Sequence, residues 1–444
     1  MRLAAGGGSV SLGCLCLTLV LATLAALAPP ADAQYETYSF ASFPPADVMP
    51  LDAAYGRALE QYGARNWRES VRYLELSLRL HRLLRDSESL CGRNCSAAVG
   101  RGDNETLLAG VEVDVGLRVV RHFILRAACL KRCKARCAAF SVARPRRDTL
   151  DAFETRTPYR YIQYAYYQSN NLEKAVSAAH TFLKKNPDDP YLTKNMNYYK
   201  TLSDVDAFLV DHEEQPFEGP FLQAVKLYND EDFSASARHM EQAVAEYFKA
   251  YQFCLEGCDG AHEIVEFKDF YPTLADLYTE ALKCKVKCEE NLTPNVGGFF
   301  VEKFVATMYH YLQFAYYKMN DVQNAAPCAA SYMLFDPGDQ VMQQNVAYYR
   351  FYREQWGLEE RHFLPQPEAL KYHQQTTKQK EMLQFALNYL QTDDEDEVSP
   401  EEAGGAGGQE APDAEFEGVG DYEESFVAEW WQEPKTKWDT GEAD

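Results

Sequence analysis

Tyr161-Ile-Gln-Tyr-Ala-Tyr-Tyr167 recurs 150 residues later as Tyr311-Leu-Gln-Phe-Ala-Tyr-Tyr317. The same offset continues through the next turn and helix, so that about 40 residues align without a gap. The other pairs at this offset are Asn170 with Asn320, Ala175 with Ala325, Pro187 with Pro337, Asn195 with Asn345, and Tyr198-Tyr199 with Tyr348-Tyr349. A match of this length indicates an internal duplication, which is typical of repeat proteins.

Each copy has the pattern of a helical hairpin. Apolar residues recur at helical spacing, polar turn residues follow, and Pro187 and Pro337 are positioned to end the second helix. The segment 159–187 resembles a tetratricopeptide repeat, in which small alanines let two helices approach while aromatic residues fill the gap to the next hairpin. The matching positions are Ile162, Tyr166, Ala175, Phe182 and Pro187, and then Leu312, Tyr316, Ala325, Tyr332 and Pro337.

Weaker versions of the pattern occur upstream of each copy, at residues 51–84 and 218–250. There Ala58 and Tyr62 correspond to Ala224 and Tyr228, and Trp67 corresponds to Phe233. The sequence therefore predicts four hairpins arranged as two similar halves.

Eight of the 12 cysteines form four Cys-x-x-x-Cys pairs, two in each half. Residues four apart on a helix share a face, so two antiparallel helices with such pairs can be joined by two parallel bonds. The predicted disulfides are Cys91–Cys133, Cys95–Cys129, Cys254–Cys288 and Cys258–Cys284. The alternative is two zinc sites of four cysteines each, but zinc sites more often have two-residue spacing, and an oxidising compartment disfavours free thiolates.

Two further cysteines follow the predicted signal peptide, Cys137 and Cys328. They could pair with each other, stay free or bond a partner. Cys328 lies on an apolar helix, where we expect a buried, free thiol, whereas the sequence does not place Cys137.

The first residues predict entry into the secretory pathway. An apolar run from Val10 to Leu27 follows Arg2, and Ala31-Asp32-Ala33 has the small-x-small pattern of a signal-peptidase site, so we expect cleavage before Gln34. The alternative is an N-terminal membrane anchor. No later run approaches the ~20 apolar residues of a membrane helix, so we expect no membrane insertion of the mature chain.

The acidity of the chain is concentrated at its carboxyl end. Residues 391–444 contain 19 acidic and two basic residues, a net charge of -17 out of the total of -23. Such a segment cannot bury enough apolar area to offset the entropy of ordering, so we predict a disordered acidic tail. An acidic chain without a basic patch argues against nucleic acid as a partner.

The complete prediction is an all-α fold. It consists of tetratricopeptide-like helical-hairpin repeats in two similar disulfide-stapled halves, with a disordered acidic C-terminal tail. The predicted divisions are a signal peptide at 1–33, a first repeat half at 34–215, a second repeat half at 216–390 and the tail at 391–444.

The residue patterns contain no catalytic constellation. None of the nine histidines begins a His-x-Asp triplet, and the nearest patterns, His212-x-Glu214 and His239-x-Glu241, are expected to be solvated. Walker, dinucleotide and hydrolase motifs are missing as well. We therefore expect no enzyme activity, no metal and no cofactor.

Three sequons are candidate glycosylation sites in a secretory protein. They are Asn104, which is the best placed because it lies in a polar interhelical loop, and then Asn94 and Asn291.

From Gln34 to about Leu390 the chain resembles the leprecan family, which contains prolyl 3-hydroxylases and non-catalytic members. The segments that carry the resemblance are Gln34-Tyr-Glu-Thr-Tyr-Ser-Phe40, Leu78-Arg-Leu-His-Arg-Leu-Leu-Arg-Asp-Ser-Glu88, Glu289-Glu-Asn-Leu-Thr-Pro294 and Lys303-Phe-Val-Ala-Thr-Met-Tyr-His-Tyr-Leu-Gln-Phe-Ala-Tyr-Tyr317. The tail, with Asp413-Ala-Glu-Phe-Glu-Gly418 and Trp430-Trp-Gln-Glu-Pro434, is most similar to a non-catalytic member.

The resemblance implies a scaffold in the lumen of the endoplasmic reticulum. Its partners would be a prolyl 3-hydroxylase, a lysyl hydroxylase and procollagen chains, and it would support collagen hydroxylation and cross-linking. Because the chain lacks a Lys-Asp-Glu-Leu-like ending, a partner would have to retain it. The alternative is a secreted extracellular-matrix binding protein.

A partner-binding groove is expected by analogy with tetratricopeptide proteins, whose concave face binds ligands. Proline-rich chains adopt an extended helix that docks on aromatic grooves. The candidate residues are Arg160, Tyr164, Tyr167, His310, Phe314 and Tyr317. The alternative is that these aromatic side chains belong to the core.

Overall fold

The computed structural model describes residues 38–102, 115–261 and 270–390. The predicted signal peptide, the predicted acidic tail and the sequon at Asn104 lie outside these residues, so the corresponding expectations stay predictions.

Helices dominate the described residues. The α-helices are α1 (Leu51–Gly63), α2 (Trp67–Gly102), α3 (Val115–Lys134), α4 (Arg147–Glu154), α5 (Thr157–Gln168), α6 (Leu172–Lys185), α7 (Pro190–Leu202), α8 (Glu218–Asn229), α9 (Phe233–Ala261), α10 (Phe270–Asn291), α11 (Phe304–Lys318), α12 (Val322–Phe335), α13 (Gln340–Phe351) and α14 (Pro367–Leu390). Short 3-10 helices lie at Pro45–Asp47, Ala138–Phe140, Asp206–Phe208 and Glu360–Phe363. The strands β1 (Asn295–Val296) and β2 (Phe299–Phe300) form an antiparallel hairpin, with Asn295 opposite Phe300 and Val296 opposite Phe299.

Four helical hairpins form the frame, which confirms the predicted fold class. In the first half α1 packs against α2 and α5 against α6, and in the second half α8 packs against α9 and α11 against α12. The second helix of the later hairpin in each half ends at Lys185 or Phe335, two residues before Pro187 or Pro337. A third helix, α7 or α13, then packs on that hairpin.

The turns of the duplicated hairpins have the same local chemistry. Asn170 and Asn320 adopt positive φ values of 59° and 61°, a left-handed conformation that asparagine tolerates well. The next residue caps the following helix in both copies. The Asn171 side chain accepts a hydrogen bond from the Lys174 amide, and the Asp321 side chain accepts one from the Asn324 amide.

The earlier hairpins are matched in the same way. The Ser70 hydroxyl donates to the Ala58 carbonyl at 3.0 Å, and the Ser236 hydroxyl donates to the Ala224 carbonyl at 2.8 Å. All four residues are buried, so each bond satisfies a polar group that would be costly to leave unpaired. The duplication thus extends from the sequence pattern to individual hydrogen bonds.

Each half has its own apolar core. The first includes Leu74, Ile162 and Tyr199, and the second includes Met240 and Leu312. Each of these side chains is at most 2% exposed. Complete burial of a large apolar side chain contributes roughly 1.5–3 kcal/mol, so hairpin stacking supplies most of the stability of the fold.

The long helices α2 and α9 join the two halves. The hairpins were expected to end near residues 84 and 250, but α2 continues to Gly102 and α9 to Ala261. The extended parts pack against each other. Around this contact Asp259 pairs with Arg126 at 3.1 Å and with Lys285 at 2.8 Å, so that charges from three helices converge.

A buried polar network secures the end of the first half. Glu213 accepts hydrogen bonds from Arg82 at 2.9 Å and from the Tyr159 hydroxyl at 2.8 Å. Nearby, Arg156 pairs with Asp211 at 3.0 Å and donates to the Thr181 carbonyl at 2.7 Å. These contacts hold the segment that leads into α8 against α2 and the α5–α6 hairpin.

Candidate functional site

The cysteines form the four predicted disulfides. Cys91–Cys133 and Cys95–Cys129 join α2 to α3, and Cys254–Cys288 and Cys258–Cys284 join α9 to α10. The spacing of four residues on each helix places both sulfurs of a pair on one face, as expected. Each half therefore has a long helix that is cross-linked to its neighbour twice.

The two remaining cysteines of the described chain have different surroundings. Cys328 is fully buried, and its sulfur accepts a hydrogen bond from Gln366 at 3.5 Å. Cys137 is half-buried, and its sulfur lies 3.9 Å from that of Cys91. Cys328 is thus the buried, free thiol that the sequence predicted, and Cys137 is placed by the structure alone.

Four of the six predicted groove residues belong to two equivalent rows of aromatic side chains. The first aromatic row consists of Tyr62, Trp67, Tyr164, Tyr167 and Tyr198. Successive ring centroids in this row are 5.4, 5.6, 6.4 and 6.0 Å apart, and the hydroxyls of the last two tyrosines are 3.2 Å apart. Such distances and tilted or edge-on arrangements are favourable for aromatic pairs.

The second aromatic row is built from the equivalent residues of the other half, Tyr228, Phe233, Phe314, Tyr317 and Tyr348. Phe314 lies 5.5 Å from Tyr228 and 6.1 Å from Phe233, and Tyr317 lies 6.3 Å from Tyr348. The row continues beyond the duplicated part into a cluster of Phe351, Tyr352 and Trp356, with centroids 4.8 to 5.4 Å apart.

The inner rings of both rows are less exposed than Tyr198 in the first row and Phe351 in the cluster beyond the second row. Tyr164, Tyr167, Phe314 and Tyr317 are half-buried, and these inner rings stack between hairpins. At the outer ends, Tyr198 is 48% exposed and Phe351 is 81% exposed. The four predicted residues are the half-buried ones, so the choice between a binding groove and a core role stays a prediction.

The other two predicted groove residues lie beside the rows rather than in them. Arg160 pairs with Asp189 at 3.4 Å and lies over the exposed ring of Tyr191 at 5.5 Å. His310 contacts the rings of Tyr311 and Tyr332. The sequence did not predict the row residues that come from neighbouring helices. The aromatic pairs Trp67/Phe233 and Tyr198/Tyr348, which match between the two halves, could have indicated them.

Burial shifts the titration of one tyrosine of the first row and of one tyrosine beside it. It raises the pKa of Tyr62 to about 12, with further contributions from Tyr164 and Tyr161. Tyr199, which borders the first row, has its pKa raised above the usual range for the same reason. Tyr62 can therefore offer its ring face and a neutral hydroxyl donor at physiological pH.

Two histidines of the described residues have specific partners in the fold. His81 stacks on Phe153 at 4.7 Å, and burial lowers its pKa to about 4. His212, which was expected to be solvated, is half-buried, and its Nε2 lies 3.2 Å from the Ser177 hydroxyl. In residues 38–102, 115–261 and 270–390, the groups of three or more possible ligands within 4.8 Å are Cys91, Cys133 and Cys137, and Cys254, Cys258 and Cys288.

Two of the three sequons lie in the described residues. Asn94 is exposed on α2, one residue before Cys95, and Asn291 is exposed at the end of α10. Both side chains are accessible, and glycosylation at either stays a prediction. In the described chain, no helix combines the length and apolarity needed to cross a bilayer.

Comparison with known proteins identifies the family. Residues 50–353 match the sequence model described as the leprecan family TPR-like repeat region. The chain is 57% identical to rat endoplasmic reticulum protein SC65 over 93% of this chain and 95% of the relative. It is 53% identical to human cartilage-associated protein over 82% of this chain and 90% of the relative.

A more distant relative is larger. Human prolyl 3-hydroxylase 1 is 34% identical over 87% of this chain but only 53% of its own length. SC65 proteins of rat and human are named for the endoplasmic reticulum, which confirms the location expected from the sequence. The family model covers more than half of the residues, and rat SC65 is matched over 95% of its length, so the chain belongs to the leprecan family.

Proposed function

We propose that this chain is a non-catalytic scaffold subunit of an endoplasmic reticulum complex that modifies procollagen. In this complex it holds a collagen prolyl 3-hydroxylase and a lysyl hydroxylase and presents an unfolded procollagen chain to them. Hydroxylation of lysine and proline then supports fibril assembly and cross-linking.

The observation that carries the proposal is the pair of aromatic rows. A procollagen chain before triple-helix formation is rich in proline and favours the extended polyproline helix, which docks on exposed aromatic rings. Two similar rows, one in each half, suit a ligand that is itself a repeating sequence. Binding at both rows would raise the overall affinity through a high effective concentration, provided that one chain spans them.

The association with a hydroxylase is supported by the matched regions. Human prolyl 3-hydroxylase 1 has a region similar to almost the whole of this chain and a further part of about equal length. A helical region that is shared by a subunit and by its larger relative is a reasonable platform for their association. The non-catalytic role is supported by the sequence, which contains none of the catalytic motifs considered above. The buried carboxylate of Glu213 is engaged in a structural ion pair with Arg82.

The first test uses side chains whose removal leaves the cores intact. Tyr198 ends the first row, and Phe351 belongs to the cluster that continues the second row. Both are exposed, so a Tyr198→Ser, Phe351→Ser double variant should fold normally. We expect it to bind a single-stranded collagen-like peptide of repeating Pro-Pro-Gly roughly tenfold more weakly than the natural chain does. The matched control is Met382→Ser, which removes a 57% exposed apolar side chain from α14 outside both rows. Equal peptide binding by all three proteins would remove the rows from the proposal.

The second test addresses partners and compartment. The tagged full-length chain is recovered from collagen-secreting cells and treated with endoglycosidase H. Co-purifying prolyl 3- and lysyl hydroxylases and removable glycans are the expected result. Complex glycans together with matrix proteins and no hydroxylase would favour the secreted extracellular-matrix protein instead.

A further inference from the structure

Cys137 lies against one of the disulfides. It follows the end of α3 and is four residues beyond Cys133, and its thiol donates to the Cys133 carbonyl at 3.4 Å. This turn places the Cys137 sulfur 3.9 Å from the sulfur of Cys91, which is bonded to Cys133. The two sulfurs are thus in van der Waals contact, so the Cys137 sulfur can reach the Cys91 sulfur directly.

We propose that Cys91, Cys133 and Cys137 form a thiol–disulfide exchange site. The Cys137 thiolate attacks the Cys91 sulfur, a Cys91–Cys137 bond forms and the Cys91–Cys133 bond breaks. Cys133 leaves as a thiolate and takes up the proton that Cys137 released. One disulfide and one thiol are present before and after the step, so neither an oxidant nor a reductant is consumed.

The burial of the three sulfurs suits this exchange. Cys91 is fully buried, whereas Cys133 and Cys137 are both half-buried. The Cys91 sulfur can therefore bond to Cys133 or to Cys137, and its burial shields it from thiols of other molecules. The exchange changes which of Cys133 and Cys137 offers a thiol near the surface.

Chain entropy opposes the exchange very little. The present disulfide joins residues 42 apart, and the exchanged one would join residues 46 apart, as the numbering shows. Because loop-closure entropy depends on the logarithm of loop length, the two bonds constrain the unfolded chain almost equally. Burial raises the pKa of the Cys137 thiol, so only a small thiolate fraction is present at neutral pH and the exchange is slow.

The second half contains the contrasting case. Cys254, Cys258 and Cys288 also cluster, with the Cys258 and Cys288 sulfurs 3.8 Å apart, but all three are already in disulfides. Of the two cysteine clusters in the described residues, the one around Cys91 contains a free thiol, that of Cys137.

Peptide mapping of the full-length protein tests the proposal. The natural chain is incubated for hours with N-ethylmaleimide and digested with trypsin without reduction. Cleavage after Arg132, Lys134 and Arg136 separates Cys133 from Cys137. We expect label on Cys137 together with a Cys91–Cys133 link, and also label on Cys133 together with a Cys91–Cys137 link. The Cys133 label should be lost in Cys137→Ser.

A second variant tests the exchanged bond directly. In Cys133→Ser, Cys91 should bond to Cys137. Because Cys91 is fully buried in the fold, the label is added after unfolding in urea without reductant, and both cysteines should still resist it. The matched control is Cys129→Ser, because in the described residues no third cysteine lies within 4.8 Å of both Cys95 and Cys129. Its Cys95, which is fully buried in the fold, should take the label once the chain is unfolded. The proposal is overturned if Cys137 alone is labelled in the natural chain. It is also overturned if a Cys133→Ser protein that had folded is labelled at both Cys91 and Cys137 after it is unfolded in urea.

Discussion

Gly92 of α2 and Gly260 of α9 make reciprocal backbone contacts where the two halves meet. A Cβ atom added to Gly92 would lie 1.9 Å from the Glu256 carbonyl oxygen, and one added to Gly260 would lie 1.8 Å from the Glu88 carbonyl oxygen. Gly92 lies four residues after Glu88, and Gly260 lies four residues after Glu256, so the two contacts are equivalent. The two long helices therefore cross with their backbones in contact. Any side chain at either position would separate them.

Gly92→Ala and Gly260→Ala are therefore expected to destabilise the protein. The obstacle is backbone, which cannot rotate away, so the helices must move apart and lose packing at about 2–3 kcal/mol or more for each substitution. Chemical unfolding monitored by circular dichroism measures the loss.

Gly257→Ala is the matched control, because it lies on α9 only three residues from Gly260 but has open space around its added Cβ. It should be neutral or more stable by up to about 1 kcal/mol, since alanine favours a helix. Equal changes in the free energy of unfolding for Gly257→Ala and Gly260→Ala would mean that the backbones of α2 and α9 are not in close contact.

Glu88, at the same crossing, should make stability depend on pH. Burial raises the pKa of its carboxyl to about 7, and Arg144 and Lys134 only partly oppose the shift. Since the folded pKa is above that of the unfolded chain, the native state binds more protons between pH 4.5 and 7. Stability therefore falls as the pH rises through this range, and it stays lower above pH 7.

Glu88→Gln should remove this decline and stabilise the protein at pH 8 by about 1–3 kcal/mol. Thermal unfolding of both proteins from pH 5 to 8 is the measurement. Glu69→Gln, at an exposed position near the start of the same helix, should leave the pH profile unchanged. Parallel profiles for the natural chain and Glu88→Gln would contradict the prediction.

Glu213 should have the opposite effect on the pH profile. Burial alone would raise its pKa, but Arg82, Arg85 and the Tyr159 hydroxyl outweigh burial and lower the pKa to about 2. The stabilisation is therefore present above pH 4.5 and is lost as the pH falls towards 2.

Glu213→Gln removes the carboxylate that pairs with the Arg82 guanidinium. The Arg82 side chain is only 6% exposed, so water cannot easily replace that carboxylate. We expect a loss of roughly 3 kcal/mol at pH 7, measured by urea unfolding. The control is Glu360→Gln, which breaks an exposed pair with Arg353 and should cost at most about 0.5 kcal/mol. A similar small loss in both variants would show that the buried network contributes little.

Local and repeated features of the fold could be predicted from the sequence. The disulfides follow from cysteines spaced four apart, and the hairpins follow from helical periodicity and from prolines such as Pro187. Contacts between distant segments could not be predicted in this way. Nothing local to Gly92 or Arg82 specifies that its partner lies 164 or 131 residues away. The turn that follows α3 and brings Cys137 to Cys91 has no signal in the spacing of the cysteines either.

The doubled disulfides should stabilise the fold in a non-additive way. Cys258–Cys284 lies inside the loop closed by Cys254–Cys288, which spans 34 residues. When one of the two bonds is already present, the loop is closed. The second bond then constrains only the two short segments between the disulfides, 254–258 and 284–288. Replacing one pair by serine should therefore cost much less than the about 3–4 kcal/mol of a loop of this length.

Replacing all four cysteines releases the whole loop, so the loss should exceed the sum of the two pairwise losses. Unfolding of the two double variants and the quadruple variant in urea measures the three free energies. Strictly additive losses would mean that these disulfides act through local packing in the native state, for example around buried Cys258 and Cys288, rather than through the unfolded chain.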